Sequence, residues 1–402
     1  MSHSHLTDAD ARDVPVKPLA VVVLLAGLAL GAVATLVGLV QLWPSGDPLP
    51  RDAAAAYAAP GVTFHDAEVD EVGPACESVE ASGGACGGVT ATVLDGADEG
   101  DAVELQVPPQ VSESGLRAGD RVEVMRLPTP EGDASRYTFF SVQRDAPLAL
   151  LAGIFVVLVA AVARLRGVLA LVGLGVGAFV LIRFMLPALL EGSDGLLVGA
   201  VGSAAIMYVV LYLAHGPSVR TSSALAGTLL GVAVTAAIGV VAIDRTRMTG
   251  ISDDTGGILA AFATELDFQG LLMCAVIVAG LGVLNDVTIT QASAVWELRA
   301  AGPRLPRREL YRSAMRIGRD HIASTIYTIV FAYAGAALLT LMLLYFYGRP
   351  MLSVLSTEDI ATEVLRILTS GIGLVLAVPI TTAIAALTVA GPQVSTEPPD
   401  LQ

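Results

Sequence analysis

Long apolar runs alternate with short polar segments through most of this chain. Eight such runs stand out: Leu19–Leu42, Ala146–Ala163, Val168–Leu190, Leu196–Leu213, Ala224–Ile243, Leu271–Val295, Ile322–Tyr347 and Val364–Val389. A helix rises 1.5 Å per residue, so runs of about 18 to 26 residues reach across a hydrocarbon layer of roughly 30 Å. Lipid offers no partner to an open backbone N–H or C=O, so each run must be helical. The pattern predicts an α-helical membrane bundle of about eight spans. Glycines inside the runs, such as Gly173, Gly175 and Gly177, suit close helix packing.

One long polar stretch, residues 43–145, interrupts the apolar runs after the first. Five short pieces of it alternate with a period of two: Val62–Val69, Val89–Leu94, Val103–Val107, Arg121–Met125 and Tyr137–Val142. In the third, Val103, Leu105 and Val107 face one way while Glu104 and Gln106 face the other. Gly119-Asp120 is a turn leading into Arg121-Val-Glu-Val. Five half-buried strands in about a hundred residues predict a small extracytoplasmic all-β domain, an OB-like barrel inserted after helix 1. Cys76 and Cys86 lie in this segment and are expected to form a disulfide around Gly83-Gly84. A metal pair is the alternative, but His65 is the segment's only histidine and other ligands are lacking. Cys274, in the sixth run, is expected to pack.

Composition agrees with the membrane assignment. Hydrophobic residues make up 54% of the 402 and charged residues 15%, against about 25% charged in soluble domains. A cytosolic enzyme and a secreted domain are thereby excluded. The net charge of −15 lies mostly in the 43–145 segment and leaves no basic surface for nucleic acid. Basic residues also set an orientation. Arg12, Lys17, Arg164, Arg166, Arg220 and the run Arg299, Arg304, Arg307, Arg308, Arg312, Arg316 and Arg319 fall on one side; Arg245, Arg247 and Arg349 fall in short loops on the other. The positive-inside rule then predicts cytoplasmic N- and C-termini. The expected order is a cytoplasmic tail (1–18), transmembrane helix 1 (19–42), the extracytoplasmic β domain (43–145), a seven-helix domain (146–390) and a second tail (391–402). The first run is too long for a signal-peptide core and is expected to be retained as a span.

Polar residues inside the spans carry the chemistry, since a charge at mid-membrane costs about 2.5–3.5 kcal/mol or more. The sixth run holds Asn285, Asp286, Thr288, Thr290, Gln291 and Ser293. Asp286, Thr290 and Ser293 share a face, and Asn285 begins the next. The seventh run opens with Arg316, Arg319, Asp320, His321, Ser324, Thr325 and Thr328. Two antiparallel helices joined by one loop bring both sets to a similar depth. Three arrangements are open: Asp286 clamped to Arg316 or Arg319; Asp286 titrating and coupling proton passage to a conformational change; or a metal held by Asp286, Asp320 and His321. Elsewhere, His215 is expected as a capping or solvated histidine, Thr221 to Ser223 as an N-cap cluster, and Arg183 as snorkelling or pairing with Glu191 or Asp194. Residues 303–320 read as an interfacial amphipathic helix, with one stripe of Arg308, Arg312, Arg316 and Arg319 and another of Leu310, Ala314 and Ile317. His3 and His5 fall in a polar tail.

These residues carry a resemblance. Gly282-Val-Leu-Asn285-Asp286-Val-Thr288-Ile-Thr290-Gln291-Ala-Ser-Ala-Val-Trp296-Glu297-Leu, then Ala314-Met-Arg316-Ile-Gly318-Arg319-Asp320-His321-Ile-Ala-Ser324-Thr325, and Leu213-Ala-His215-Gly with Arg220-Thr221-Ser222, resemble the YibE/F family of bacterial multi-pass membrane proteins. The likeness runs from about Ala146 to Val389 and implies location and class, not an activity. The Asn-Asp helix ending in Glu297-Leu-Arg299 is also similar to SecF-type translocation motors and proton-driven RND permeases. That likeness would make Asp286 a proton-relay aspartate. Unlike them, this chain has two further helices before the Asp helix and no second half with a partner lysine.

The chain has no phosphate loop, nucleophile elbow or HExxH motif, so soluble catalysis is not expected, and no cofactor is called for. The expected function is a transporter or proton-coupled export component. The alternative is a non-transporting envelope assembly or sensor protein whose outer β domain binds a partner. Expected partners are the lipid bilayer and an unidentified substrate or envelope protein, with a homo-oligomer left open.

Overall fold

A computed structural model describes residues 14–46, 61–74, 87–127, 136–252, 254–262, 266–348 and 350–392. Cys76, Cys86 and both outer tails, with His3 and His5, lie outside the described residues. The chain divides into two compact units, Pro50–Leu158 and the remainder. In chain order the elements are α1 (Pro18–Gln41), β1 (Thr63–Val72), β2 (Gly88–Val93), β3 (Ala102–Gln106), α2 (Pro109–Glu113), β4 (Arg121–Leu127), β5 (Arg136–Val142), α3 (Asp145–Val180), a π-helical turn (Leu181–Met185) running into α4 (Leu186–Leu190), α5 (Gly195–His215), α6 (Val219–Thr246), α7 (Asp254–Phe262), α8 (Phe268–Ala301), α9 (Arg307–Ala336), α10 (Leu338–Phe346), α11 (Met351–Leu355) and α12 (Glu358–Thr388).

In the smaller unit the five strands form one antiparallel sheet in the order β3-β2-β1-β4-β5. Contact between β3 and β5 shows that the sheet curls. The period-two alternation does what it implies. Ala67, Val69, Val89, Ala91, Val93, Leu105, Val122 and Val124 turn inward and are almost completely buried. Register shifts at Glu123/Val124, so Phe140 is the extra residue of a β-bulge. Its ring meets Phe64 edge-on at 4.8 Å, on exposed surface.

A polar cluster closes one end of the inward face. Arg126 Nε lies 2.9 Å from Asp98 Oδ2, and the Tyr137 hydroxyl donates to the same oxygen at 2.7 Å. His65 Nδ1 stands 3.1 Å from Asp95, and its Nε2 is 2.8 Å from the Thr63 hydroxyl. Burial, then the hydrogen bond and negative charge of Asp98, push the Tyr137 phenol up to about 12.

In the larger unit, α6, α8 and α12 pack on one another at the centre; α5 lies on α8, α1 on α5, and α9 on α8 and α12. Leu225, Ile277, Leu281, Leu284 and Ala377 fill the middle. By contrast, α1, α3 and α10 expose most of their aliphatic side chains, as helices surrounded by lipid do. Among the described residues, six helices are long and apolar enough to cross a membrane, or seven if the bent pair α9–α10 makes one span. At the ends of the bundle, Lys17 N donates to Thr388 O at 2.8 Å and Ala390 N to Pro15 O at 2.7 Å. The start of α1 and the finish of α12 therefore lie at the same end.

Four details differ from the sequence expectation. The 46 residues from Asp145 to Leu190 count as one apolar stretch, broken at Arg164 by a left-handed φ of 53°. Gly167 there has no room for a Cβ, which would come within 2.6 Å of the Val159 carbonyl. The seventh run is not straight: α9 and α10 meet at 62°, in the small-residue stretch Ala334-Gly335-Ala336-Ala337, whose side chains offer little to hold the axis. Residues 303–320 do not form a separate interfacial helix. From Arg307 they run without interruption into α9, with Leu310, Ala314 and Gly318 buried and Ile317 exposed. A four-residue step follows the 3.6 repeat more closely here than the three-residue step to Ile317. Finally, Ser218 is the N-cap of α6, accepting from Thr221 N at 3.0 Å, and Thr221 to Ser223 lie buried in the first turn.

Candidate polar site on α8 and α9

Helix α8 keeps its hydroxyls by bonding them to its own backbone. Thr288 Oγ1 donates to Asn285 O, and Thr290 Oγ1 to Asp286 O at 2.8 Å. The same turns display the side chains of Asn285, Asp286 and Gln291 in different directions. Asp286 and Thr290 are exposed, Asn285 is half-buried with a buried, unpartnered Oδ1, and Gln291 is fully buried.

Asp286 Oδ2 lies 3.3 Å from His321 Nε2 across the α8–α9 contact, with side-chain exposures of 60% and 30% respectively. The distance is that of an ion pair, without hydrogen-bond alignment. Thr325 Oγ1 bonds back to the His321 carbonyl at 2.8 Å. Ser324 and Thr328 are exposed on the same helix. Arg316 and Arg319 are also exposed, and neither forms an ion pair among the described residues, so Asp286 is not clamped by either. Asp320 is exposed and joins no ion pair among the described residues. Among the described residues no group of three or more His, Cys, Asp and Glu side chains gathers as a metal site would require.

Gln291 reaches the other way, into the core. Its Oε1 accepts from Thr382 Oγ1 at 2.9 Å, while its Nε2 is buried without a partner. A Cβ on Gly318 would come within 2.7 Å of that Nε2 and of Val378. Glycine at 318 is what lets α9 approach this closely.

The buried polar set extends well beyond the Thr221 to Ser223 cluster and Thr288. Thr221, Thr228 and Thr235 recur every seven residues on α6, as do Thr362 with Thr369 and Thr381 with Thr388 on α12. All are buried. Thr228 Oγ1 is 2.6 Å from Thr288 Oγ1, and Ser223 Oγ is 3.3 Å from Thr388 Oγ1. The seven-residue spacing was the available signal, because it keeps one helical face toward its neighbours. Passed over by the sequence reasoning was an ion pair on α12, Arg366 Nη1 to Glu363 Oε1 at 2.7 Å.

Other singled-out residues lie elsewhere. Arg183 is exposed on the π-helical turn. Its expected partners are engaged otherwise: Glu191 accepts from Ser45 N and Gly46 N, and Asp194 caps Leu197 N. His215 is exposed at the end of α5, before Gly216. Cys274 is buried against Phe184 and Met185. A groove of about 720 Å³ between the end of α6 and the start of α12, lined by Ile238, Ala242, Arg247, Leu365, Leu368 and Thr369 among others, contains none of the α8–α9 residues.

The model of a family described as YibE/F-like protein matches residues 151–391, from within α3 past the end of α12. No curated protein and no solved structure matches the chain.

Proposed function

The chain belongs to the YibE/F-like family, and from that premise we propose that it is a multi-pass protein of the bacterial cell membrane that couples proton movement to the transport or export of a substrate. The observation that carries this is the Asp286–His321 pair: a carboxylate and an imidazole 3.3 Å apart, on a helix apolar enough to span, with the carboxylate still 60% exposed. A charge so placed is costly in lipid, and a purely structural clamp would bury it against an arginine. Free of such a clamp, Asp286 is the group left to carry the proton in this function. Protonation removes the attraction to His321 and loosens α8 from α9, whose bend at Ala337 gives the outer half of that span a place to move.

The remaining features fit this function. The break at Arg164 lets the long α3 stretch cross twice, giving eight spans. Arginines on the 164–166, 220 and 299–319 loops favour cytoplasmic termini, and the pairing of residues 15–17 with 388–390 supports a common side. The strand order β3-β2-β1-β4-β5, with α2 between β3 and β4, supports an OB-like extracytoplasmic domain that receives or gates cargo.

Purified full-length protein in proteoliposomes carrying an internal pH dye tests the proposal. An imposed pH gradient should collapse through wild-type protein at least ten times faster than through Asp286→Asn. Equal rates in the two would sink it. A second function has its own observation: the exposed Phe64–Phe140 pair supports a partner-binding β domain on a membrane anchor, an assembly or sensor protein. In that case Asp286→Asn leaves cellular function intact and Phe64→Ser abolishes it.

A further inference from the structure

The groove between α6 and α12 encloses about 720 Å³, within the roughly 300–1,000 Å³ of small-molecule sites. Its lining changes character from end to end. Thr246, Arg247 and Glu358 line it where α6 finishes and α12 begins, whereas Ile238, Leu365 and Ile372 form its walls farther along the helices. The two helices are antiparallel, so both walls run the same way from the polar end. Ile238 lies nine residues from Arg247, and Ile372 fourteen from Glu358, roughly 14 and 21 Å along the helix axes. One leaflet is about as deep, half of a hydrocarbon layer of roughly 30 Å. Leu368 and Ile372 are 58% and 45% exposed, so the apolar part is open sideways, toward the surface that lipid covers.

A charge of each sign stands at the polar end. Arg247 is the C-cap of α6, in the left-handed region at φ 54° and ψ 38°, a conformation uncommon for a residue with a Cβ. It is exposed, and among the described residues it forms no ion pair. Glu358 holds the turn that follows: its Oε1 accepts from Thr249 N, Thr249 Oγ1 and Gly250 N at 2.7, 2.6 and 3.0 Å. All three bonds fall on one oxygen, and Oε2 takes part in none of them. Arg247 and Glu358 therefore share a lining without neutralising each other. Asp244, Arg245 and Asp359 flank the same end but do not line the groove.

We infer that this groove holds a zwitterionic, amine-bearing phospholipid, with its phosphate on Arg247, its headgroup ammonium on Glu358 Oε2 and one acyl chain laid between α6 and α12. The inference needs the helices to lie in a membrane and is independent of proton transport through Asp286. A guanidinium meets two phosphate oxygens at once through parallel N–H groups, and an ammonium donates to a carboxylate oxygen left open. The acyl chain covers Ile238, Leu365 and Ile372 over the depth of a leaflet. A fatty acid, or a phospholipid with no amine, would satisfy Arg247 and leave Glu358 facing a second negative charge with no cation between them. A soluble phosphate compound would leave the apolar walls bare.

Native mass spectrometry of the full-length protein in detergent, titrated with phosphatidylethanolamine or phosphatidylglycerol of the same acyl chains, tests the inference. The wild type should bind one phosphatidylethanolamine at least ten times more tightly than phosphatidylglycerol. Arg247→Gln should weaken both lipids at least fivefold, and Glu358→Gln should erase the preference between them. Because Glu358 also holds the 249–250 turn, Ala242→Trp provides a second variant: it fills the groove, keeps both charges and should abolish binding of either lipid. Equal affinity for the two lipids in the wild type, or tighter phosphatidylglycerol, overturns the zwitterionic headgroup. Wild-type binding in both Arg247→Gln and Ala242→Trp overturns the site, as does a protein dimer that carries no lipid and dissociates in Ala242→Trp, since a second copy would then cover the groove. None of these results bears on proton flux through Asp286.

Discussion

Thr235 on α6 occupies the space that a Cβ on Gly373 of α12 would fill, and the contact is returned eight residues away, where Thr381 of α12 fills the space above Gly227 of α6. Midway between them a Cβ on Gly231 would come 3.2 Å from that of Ala377. The three pairs step forward by four on one helix and back by four on the other, the register of antiparallel helices in close contact. Lipid supplies no hydrophobic drive between helices, so such small-residue contacts and their dispersion energy are what hold a membrane core together.

Glycine should therefore be required at 227 and 373. Gly227→Ala and Gly373→Ala each push a methyl into a threonine that has no space to retreat, at a cost of about 1–3 kcal/mol. Gly282→Ala, where nothing lies within 4 Å of the added methyl, should be near neutral. Thermal unfolding of the purified variants, followed by size-exclusion recovery after heating, compares them. Equal midpoints for Gly227→Ala and Gly282→Ala would remove the close contact from the description of the core.

Gln291 is expected to be kept for function at the expense of stability. Its Nε2 is buried without a partner, which costs about 1–3 kcal/mol. Gln291→Leu preserves the volume and abolishes that cost, so the unfolding midpoint should rise or hold. Proton flux in proteoliposomes should fall if the amide serves the α8–α9 site. A drop in midpoint would show that the amide is satisfied after all.

The β domain carries its own pH response. Tyr137 has its phenol raised from 10.0 to about 12, chiefly by burial and then by Asp98. A raised folded-state value means the folded form holds the proton more tightly. That contribution to stability is fully present below pH 10 and is lost as pH climbs from 10 toward 12. In full-length protein, the ultraviolet difference spectrum between wild type and Tyr137→Phe should report one phenol ionising near pH 12. Ionisation near pH 10 would mean that the bond to Asp98 does not hold Tyr137 in solution.

The orientation rests on arginine placement alone and can be checked in cells. A fluorescent protein fused after Gln402 should glow from the cytoplasm, and an alkaline phosphatase fused within the 61–74 segment should be active outside it. Phosphatase activity after Gln402 reverses the topology.

Much of this architecture is legible before any coordinates. The five alternating stretches become β1 to β5 with boundaries shifted by three residues at most, because side chains on a strand must take opposite faces. Long apolar runs become helices because lipid leaves the backbone no other way to pair its hydrogen-bonding groups. The placement of Asp286 on one face of α8 and of His321 midway along α9 is likewise implicit in spacing. Both properties follow from the repeat of a single element, which neighbouring residues set among themselves.

What the linear order could not decide is which faces meet. Whether Asp286 finds Arg316, Arg319 or His321 depends on the rotation of α9 about its axis, and Gly318 against Gln291 determines that rotation. The bend at Ala337, the seating of Thr235 on Gly373 and the groove between α6 and α12 depend in the same way on many weak contacts between distant segments. Each is worth a fraction of a kcal/mol, and only their sum over the packed bundle selects one arrangement.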